Sequence, residues 1–199
     1  MPEMPSPPCE PLTWHCRERR LTLGPPSLVM GILNVTPDSF SDGGNYDRFP
    51  DALAHGRRLL AEGAHLLDVG GESTRPGADA VPVEQEIERT EPVVRALAEA
   101  GAAVSIDTSK AQVARRALEA GACIVNDVTA LTGDPHMAQV VRESGAGLVL
   151  MHMRGTPRTM QHNPHYDDVV EDVARYLEER LAAAVAAGIA AEAVCLDPG

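Results

Sequence analysis

One unit recurs along this chain and constrains its fold more than any other feature. A helical stretch closes on Gly-Ala, a short aliphatic run follows, and the run ends in a polar residue. It reads GAHLLDVGGEST from Gly63, GAAVSIDTSK from Gly101, GACIVNDVTA from Gly121 and GAGLVLMHMRG from Gly145. A looser copy is AAGIAAEAVCLDPG, and a first run is SLVMGILNVTPDSF. Glycine suits the position just past a helix because it accepts a left-handed backbone. Short runs of Val, Ile and Leu without alternation read as strands buried on both faces.

Helical patterns fill the intervals. Leu53, Leu59 and Leu60 share a side over residues 50–62. Ile87, Val94 and Leu97 do so over 84–100, with Pro92 marking a kink. Ser109 and Gln112 stand at capping-box spacing before a helix over 109–120. Asp134-Pro135 opens another, and Val169, Val173, Leu177 and Leu181 define a long one over 167–187. Strand and helix alternate up to a sixth strand, which predicts an α/β fold with a parallel sheet.

Two architectures compete, an open doubly wound sheet and a (β/α)8 TIM barrel. Both place ligands at the carboxyl ends of the strands. The polar residues fall there: Asn34, Asp68, Asp107, Asn126, His152 and Asp197. Their spread over all six strand ends favours the barrel, since an open sheet concentrates its site at one switch point. Residues 13–24, TWHCRERRLTLG, precede the first barrel strand and predict a short hairpin across the barrel's lower end.

The chain of 199 residues suffices for one domain, 13–199, with a sizeable core. Residues 1–12 hold five prolines and read as a disordered tail, neither signal peptide nor membrane span. A formal charge of −12 argues against a nucleic-acid partner. Cys9, Cys16, Cys123 and Cys195 form no C-x-x-C pair, so they read as small buried thiols in a reducing, cytoplasmic setting. Lys110 is the only lysine, which reads as genome composition.

Two connections carry more special residues than a plain βα turn needs. LNVTPDSFSDGG, 33–44, carries Asn34 where the strand ends, and its amide oxygen suits a hard cation. DVGGESTRPGA, 68–78, combines glycines with the hydroxyls of Ser73 and Thr74 and the guanidinium of Arg75, a set suited to an anion. Asp107, Asn126 and Asp197 end three further strands. Converging at one mouth, they suit a flat heterocycle with an amino-amide edge; individually, each could simply cap a helix. His152 reads as a packed or hydrogen-bonded strand-end histidine ahead of a metal ligand, and His162 and His165 lack a convincing partner. The first strand has no His-x-His, which counts against a zinc hydrolase.

MGILNVTPDSFSDGG, GAHLLDVGGESTRPGA, VSIDTSK, IVNDV and LDPG together resemble dihydropteroate synthase, over about residues 13 to 199 and in order. The resemblance implies a (β/α)8 barrel that joins 4-aminobenzoate to 6-hydroxymethyl-7,8-dihydropterin pyrophosphate in folate biosynthesis, releasing pyrophosphate. It implies that Asn34 coordinates Mg2+ and that Asp107, Asn126 and Asp197 hold the pterin. Thr74 and Arg75, with Ser73 beside them, would lie at the pyrophosphate and 4-aminobenzoate side. Thr36, Pro37, Asp38, Ser39 and Phe40 would belong to a loop that closes over the second substrate. No protein nucleophile is implied. The family is usually a homodimer.

The family chain runs on past LDPG, with a lysine at its seventh strand that touches the pterin and an Arg-x-His pair at its eighth that binds pyrophosphate. The resemblance thus implies a C-terminally truncated member with about the first six strands and little activity alone. Two other readings stand beside the synthase. One is a pterin-binding homologue without catalysis, and the other is the pterin domain of a methyltetrahydrofolate methyltransferase.

Overall fold

The computed structural model describes residues 11–36, 48–73, 80–153, 155 and 166–199. An antiparallel hairpin, β1 (Leu12–Cys16) and β2 (Arg19–Leu23), comes first. Six parallel strands follow: β3 (Met30–Asn34), β4 (Leu66–Gly70), β5 (Ala103–Asp107), β6 (Ile124–Asp127), β7 (Gly147–Met151) and β8 (Val194–Asp197). Between them run α1 (Arg48–Ala61), α2 (Val83–Glu99), α3 (Ala111–Glu119), α4 (Met137–Ser144) and α5 (Val169–Ala186). None of the described helices is long and apolar enough to cross a membrane.

Sheet order follows chain order without reversal, from β3 to β8. That settles the competition between architectures, because a doubly wound sheet reverses direction at a switch point. The chain forms six strands of a (β/α)8 barrel, with β3 and β8 as the edges of the sheet. Ile32, on the inner face of β3, is 65% exposed.

The recurring glycines do what their position requires. Gly63, Gly101, Gly121, Gly145 and Gly188 all have positive φ. After four of them the chain turns back on its helix, as in Ala122 N–H donating to Ala117 O at 2.9 Å and Ile189 N–H to Ala184 O at 3.1 Å. This six-to-one bond is the mark of a Schellman ending. Each helix is thereby stopped at the point where the next strand must begin.

Helix starts are less local than expected. Lys110, not Ser109, is the N-cap of α3 and makes no side-chain cap bond. Asp134, from the connection after β6, instead accepts from Ala111 N–H at 2.9 Å. The helix α2 runs on through Pro92.

The main core lies between sheet and helices, around Leu33, Leu67, Leu97, Ile106, Leu148 and Leu150. A second cluster fills the amino-terminal end of the barrel, where Trp14 and Cys16 of the hairpin meet Leu66, Ala103, Cys123 and Ile124. Trp14 Nε1–H donates to Ala193 O at 2.8 Å. Arg17 and Arg19 donate to carbonyls just past α3 and α2, at Ala122 and at Gly101 and Ala102. Cations at helix carboxyl ends are favoured by the dipole. The hairpin therefore floors the barrel and leaves the opposite end open for chemistry.

Candidate active site

Strand pairing decides which side chains share the inner face at the carboxyl end. Asn34 pairs with Gly70, Gly70 with Asp107, and Asp107 with Asn126, so one row crosses four strands. One layer lower, Asp68 pairs with Ser105. At the far edge Asp197 pairs with Met151, and the backbone N–H of His152 donates to Asp197 O at 2.8 Å.

Gly70 makes room at the centre of the row. A Cβ there would lie 3.4 Å from both Asn34 Oδ1 and Asp107 Oδ2. The two oxygens therefore close over one point on the floor of the mouth.

Asn126 donates its side-chain N–H to Asp68 Oδ2 at 2.8 Å. The other Asp68 oxygen, the Ser105 hydroxyl and Asp107 Oδ1 are buried and have no hydrogen-bond partner of good geometry among the described residues. Buried polar atoms are nearly always paired, so three together mark a surface shaped for a polar ligand. Burial lifts the Asp68 carboxyl above its ordinary value, against the opposing pull of nearby Ser105 and Asn126. Burial also holds Asp107 well above its ordinary value, reinforced by the negative charges of Asp68, Glu86, Asp127 and Glu72. A pocket with two such carboxyls favours a ligand that brings N–H donors or positive charge.

Asp197 stands at the edge, with Oδ1 accepting from Gly199 N–H at 2.9 Å. His152 is 9% exposed, edge-on to Tyr176 with ring centroids 5.0 Å apart, so it packs as the sequence predicts. Thr36 and Ser73 lie at the roots of the first and second βα connections and are half-buried. Thr74, Arg75, Pro37, Asp38, Ser39 and Phe40 lie outside the described residues, as do His162 and His165.

Sequence reading placed Asp68 at a strand end without giving it a partner in the site, and it missed Ser105 and a second feature of this end of the barrel. Asp68 and Ser105 join the site from strands whose polar residues look like interruptions of apolar runs. Strand alternation could have found them, because Asp68 stands two residues before Gly70 and so on the same face. The second is a charged cluster under the connection after β4. Lys110 Nζ donates to Glu72, Glu86 and Val81 O. Burial works against its charge, yet the two carboxylates hold its pKa above the ordinary value. Reading Lys110 as mere composition thus fails to anticipate the contacts it makes.

A model of the pterin-binding enzymes matches residues 30–199. The chain is 48% identical over 188 residues to the dihydropteroate synthase of Neisseria meningitidis serogroup B, covering 94% of this chain and 66% of that one. It is 50% identical over 172 residues to that of Escherichia coli K12, covering 86% and 61%. Among solved structures, Xanthomonas albilineans dihydropteroate synthase with 4-aminobenzoic acid superposes with a TM-score of 0.85 at 49% identity, over 96% of this chain and 67% of that one. Burkholderia cenocepacia dihydropteroate synthase complexed with 7,8-dihydropteroate gives 0.83 at 46% identity, over 95% and 64%. The chain spans about two thirds of the length of the curated relatives it matches.

Proposed function

The chain belongs to the pterin-binding enzyme family, and we propose that it carries the pterin site of a dihydropteroate synthase. That enzyme joins 6-hydroxymethyl-7,8-dihydropterin pyrophosphate to 4-aminobenzoate. The observation that carries this reading is the set of buried oxygens on Asp68, Ser105 and Asp107 that have no hydrogen-bond partner of good geometry among the described residues, beside the Asn126 amide. A pterin presents a row of ring N–H, amino and carbonyl groups that such a set can satisfy. Asp107, Asn126 and Asp197 hold that edge in this reading, with Asp68 orienting Asn126.

In the reaction the methylene carbon–oxygen bond breaks and its electron pair leaves on the diphosphate. The arylamine nitrogen forms the new carbon–nitrogen bond and sheds a proton. Positive charge grows on the pterin as the bond breaks. Carboxyls in a buried, preorganised pocket stabilise that charge without having to reorganise. No nucleophilic side chain is required.

Asn34 would hold Mg2+. Its Oδ1 closes over Gly70 with Asp107 Oδ2, a hard-oxygen cradle that a larger residue would fill. Among the described residues no group of three or more His, Cys, Asp or Glu could hold a metal. A cation with few protein ligands and several from water and phosphate matches the habit of Mg2+. When bound, it supplies positive charge against the departing diphosphate. Ser73, Thr74 and Arg75 take the pyrophosphate and 4-aminobenzoate side, and Thr36, Pro37, Asp38, Ser39 and Phe40 the loop over the second substrate. A homodimer in the cytoplasm completes the proposal, and the free thiols Cys16, Cys123 and Cys195 fit that reducing compartment.

The test is pyrophosphate release with both substrates and Mg2+. Release that requires 4-aminobenzoate supports the synthase. Pterin binding without release supports a non-catalytic pterin binder instead. Methyl transfer from methyltetrahydrofolate would overturn both.

A further inference from the structure

The connection from β4 to α2 is anchored at both of its described feet by one side chain. At the first foot, Gly71 lies flat on α2: a Cβ there would meet Thr90 Cγ2 at 2.7 Å and Glu86 Cγ at 3.0 Å. Arg89 donates to Gly71 O at 2.8 Å. Glu72 then turns its carboxylate to Lys110, and its other oxygen accepts from Val81 N–H at 3.3 Å. At the second foot, Val81 O accepts from Lys110 Nζ at 2.8 Å.

Lys110 is that side chain, and Glu86 holds it from beneath. Glu86 is fully buried, which a carboxylate tolerates only when paired. Lys110 takes one of its oxygens, and the Thr108 hydroxyl donates to the other at 2.7 Å. Thr108 follows Asp107 directly, and its backbone N–H donates to Asn126 O at 3.1 Å. The network therefore joins the ring-binding row to the connection that begins at Gly71.

Lysine is chemically suited to this place. An ammonium has three N–H donors on one compact centre, and here they meet three acceptors from three segments. A guanidinium spreads its donors in a planar fork and cannot converge them on such a tripod. Every other side chain that carries a permanent positive charge in this protein is an arginine.

We propose that Lys110 is a positioning residue. It fixes the Gly71–Ser73 foot against α2 so that the diphosphate end of the ligand, rather than its ring, meets a preset polar surface. This rests on the pterin-ester reading of the mouth. The role is indirect, because Lys110 spends all its donors on protein.

The experiment compares two ligands by calorimetry, 6-hydroxymethylpterin and its pyrophosphate ester with Mg2+, on the wild type, Lys110→Met, Lys110→Arg and Glu72→Gln. The ester should weaken roughly tenfold or more in both Lys110 variants, the scale of one hydrogen bond to a charged group lost at the diphosphate end. The bare pterin should stay within about twofold, because strand pairing and the Asn126–Asp68 bond hold the ring row without Lys110. Glu72→Gln removes one charged contact at the rim, so it keeps the test open should Lys110→Met fail to fold; it should show the same selective loss, only smaller. Equal loss for both ligands, or no loss for either, overturns the positioning role while leaving the pterin reading intact. A wild type that binds neither ligand overturns the pterin reading and this inference with it.

Discussion

Asn126 donates its side-chain amide to Asp68 across the inner face, joining β6 to β4 over the intervening β5. The bond fixes which edge of the Asn126 amide faces the mouth. It also leaves Asp68 with one buried oxygen that has no partner of good geometry among the described residues. Structural stability and ligand demand therefore meet in a single carboxyl.

Asp68→Asn should stabilise the empty protein at neutral pH. Burial raises the folded-state pKa of Asp68 above its unfolded value. The stabilising contribution is thus complete below the unfolded value and is lost as pH rises through the folded one. Thermal melts should show the variant above the wild type at pH 7 and level with it below about pH 3.8, the ordinary carboxyl value. Pterin affinity should fall at the same time, the usual exchange at a binding site. A variant less stable than the wild type at pH 7 would contradict this.

Glu86→Ala should cost about 3 kcal/mol, because it leaves the Lys110 ammonium and the Thr108 hydroxyl short of a buried partner. Urea unfolding monitored at Trp14 would measure it. A shift under about 0.5 kcal/mol would place the network among surface ion pairs instead.

Gly71→Ala should cost about 1–3 kcal/mol through overpacking. Its Cβ would press on Thr90 Cγ2. Thr90→Ser removes that methyl while keeping the hydroxyl that donates to Glu86 O at 2.8 Å. The double variant should therefore regain part of the loss, and strict additivity of the two changes would refute the contact.

Trp14→Phe should cost about 1 kcal/mol, the worth of its hydrogen bond to Ala193 O. Because the hairpin floors the far end of the barrel, pterin affinity should be unchanged. Loss of binding in this variant would show that floor and mouth are coupled.

Much of this architecture is legible in the sequence because it is local. The Gly-Ala endings and apolar runs predict β4 to β7, and the polar residue at each strand end falls where the mouth lies. The hairpin too is written in a short stretch. What escapes is set by curvature and by long-range packing. Asp68 and Asn126 stand 58 positions apart, and only the barrel's bend brings them into contact. The cap of α3 comes from Asp134 rather than from the Ser109 stretch for the same reason. Lys110 looks like one cation among many until Glu72, Glu86 and Val81 converge on it.

The central claim is that Asp107 and its neighbours read a pterin edge. Its most direct test is calorimetric titration of the wild type and Asp107→Asn with 6-hydroxymethylpterin. The account predicts binding by the wild type and a loss of roughly tenfold to a hundredfold in the variant, the scale of a hydrogen bond to a charged group. Equal affinity in the two proteins, or no binding by the wild type, would contradict it.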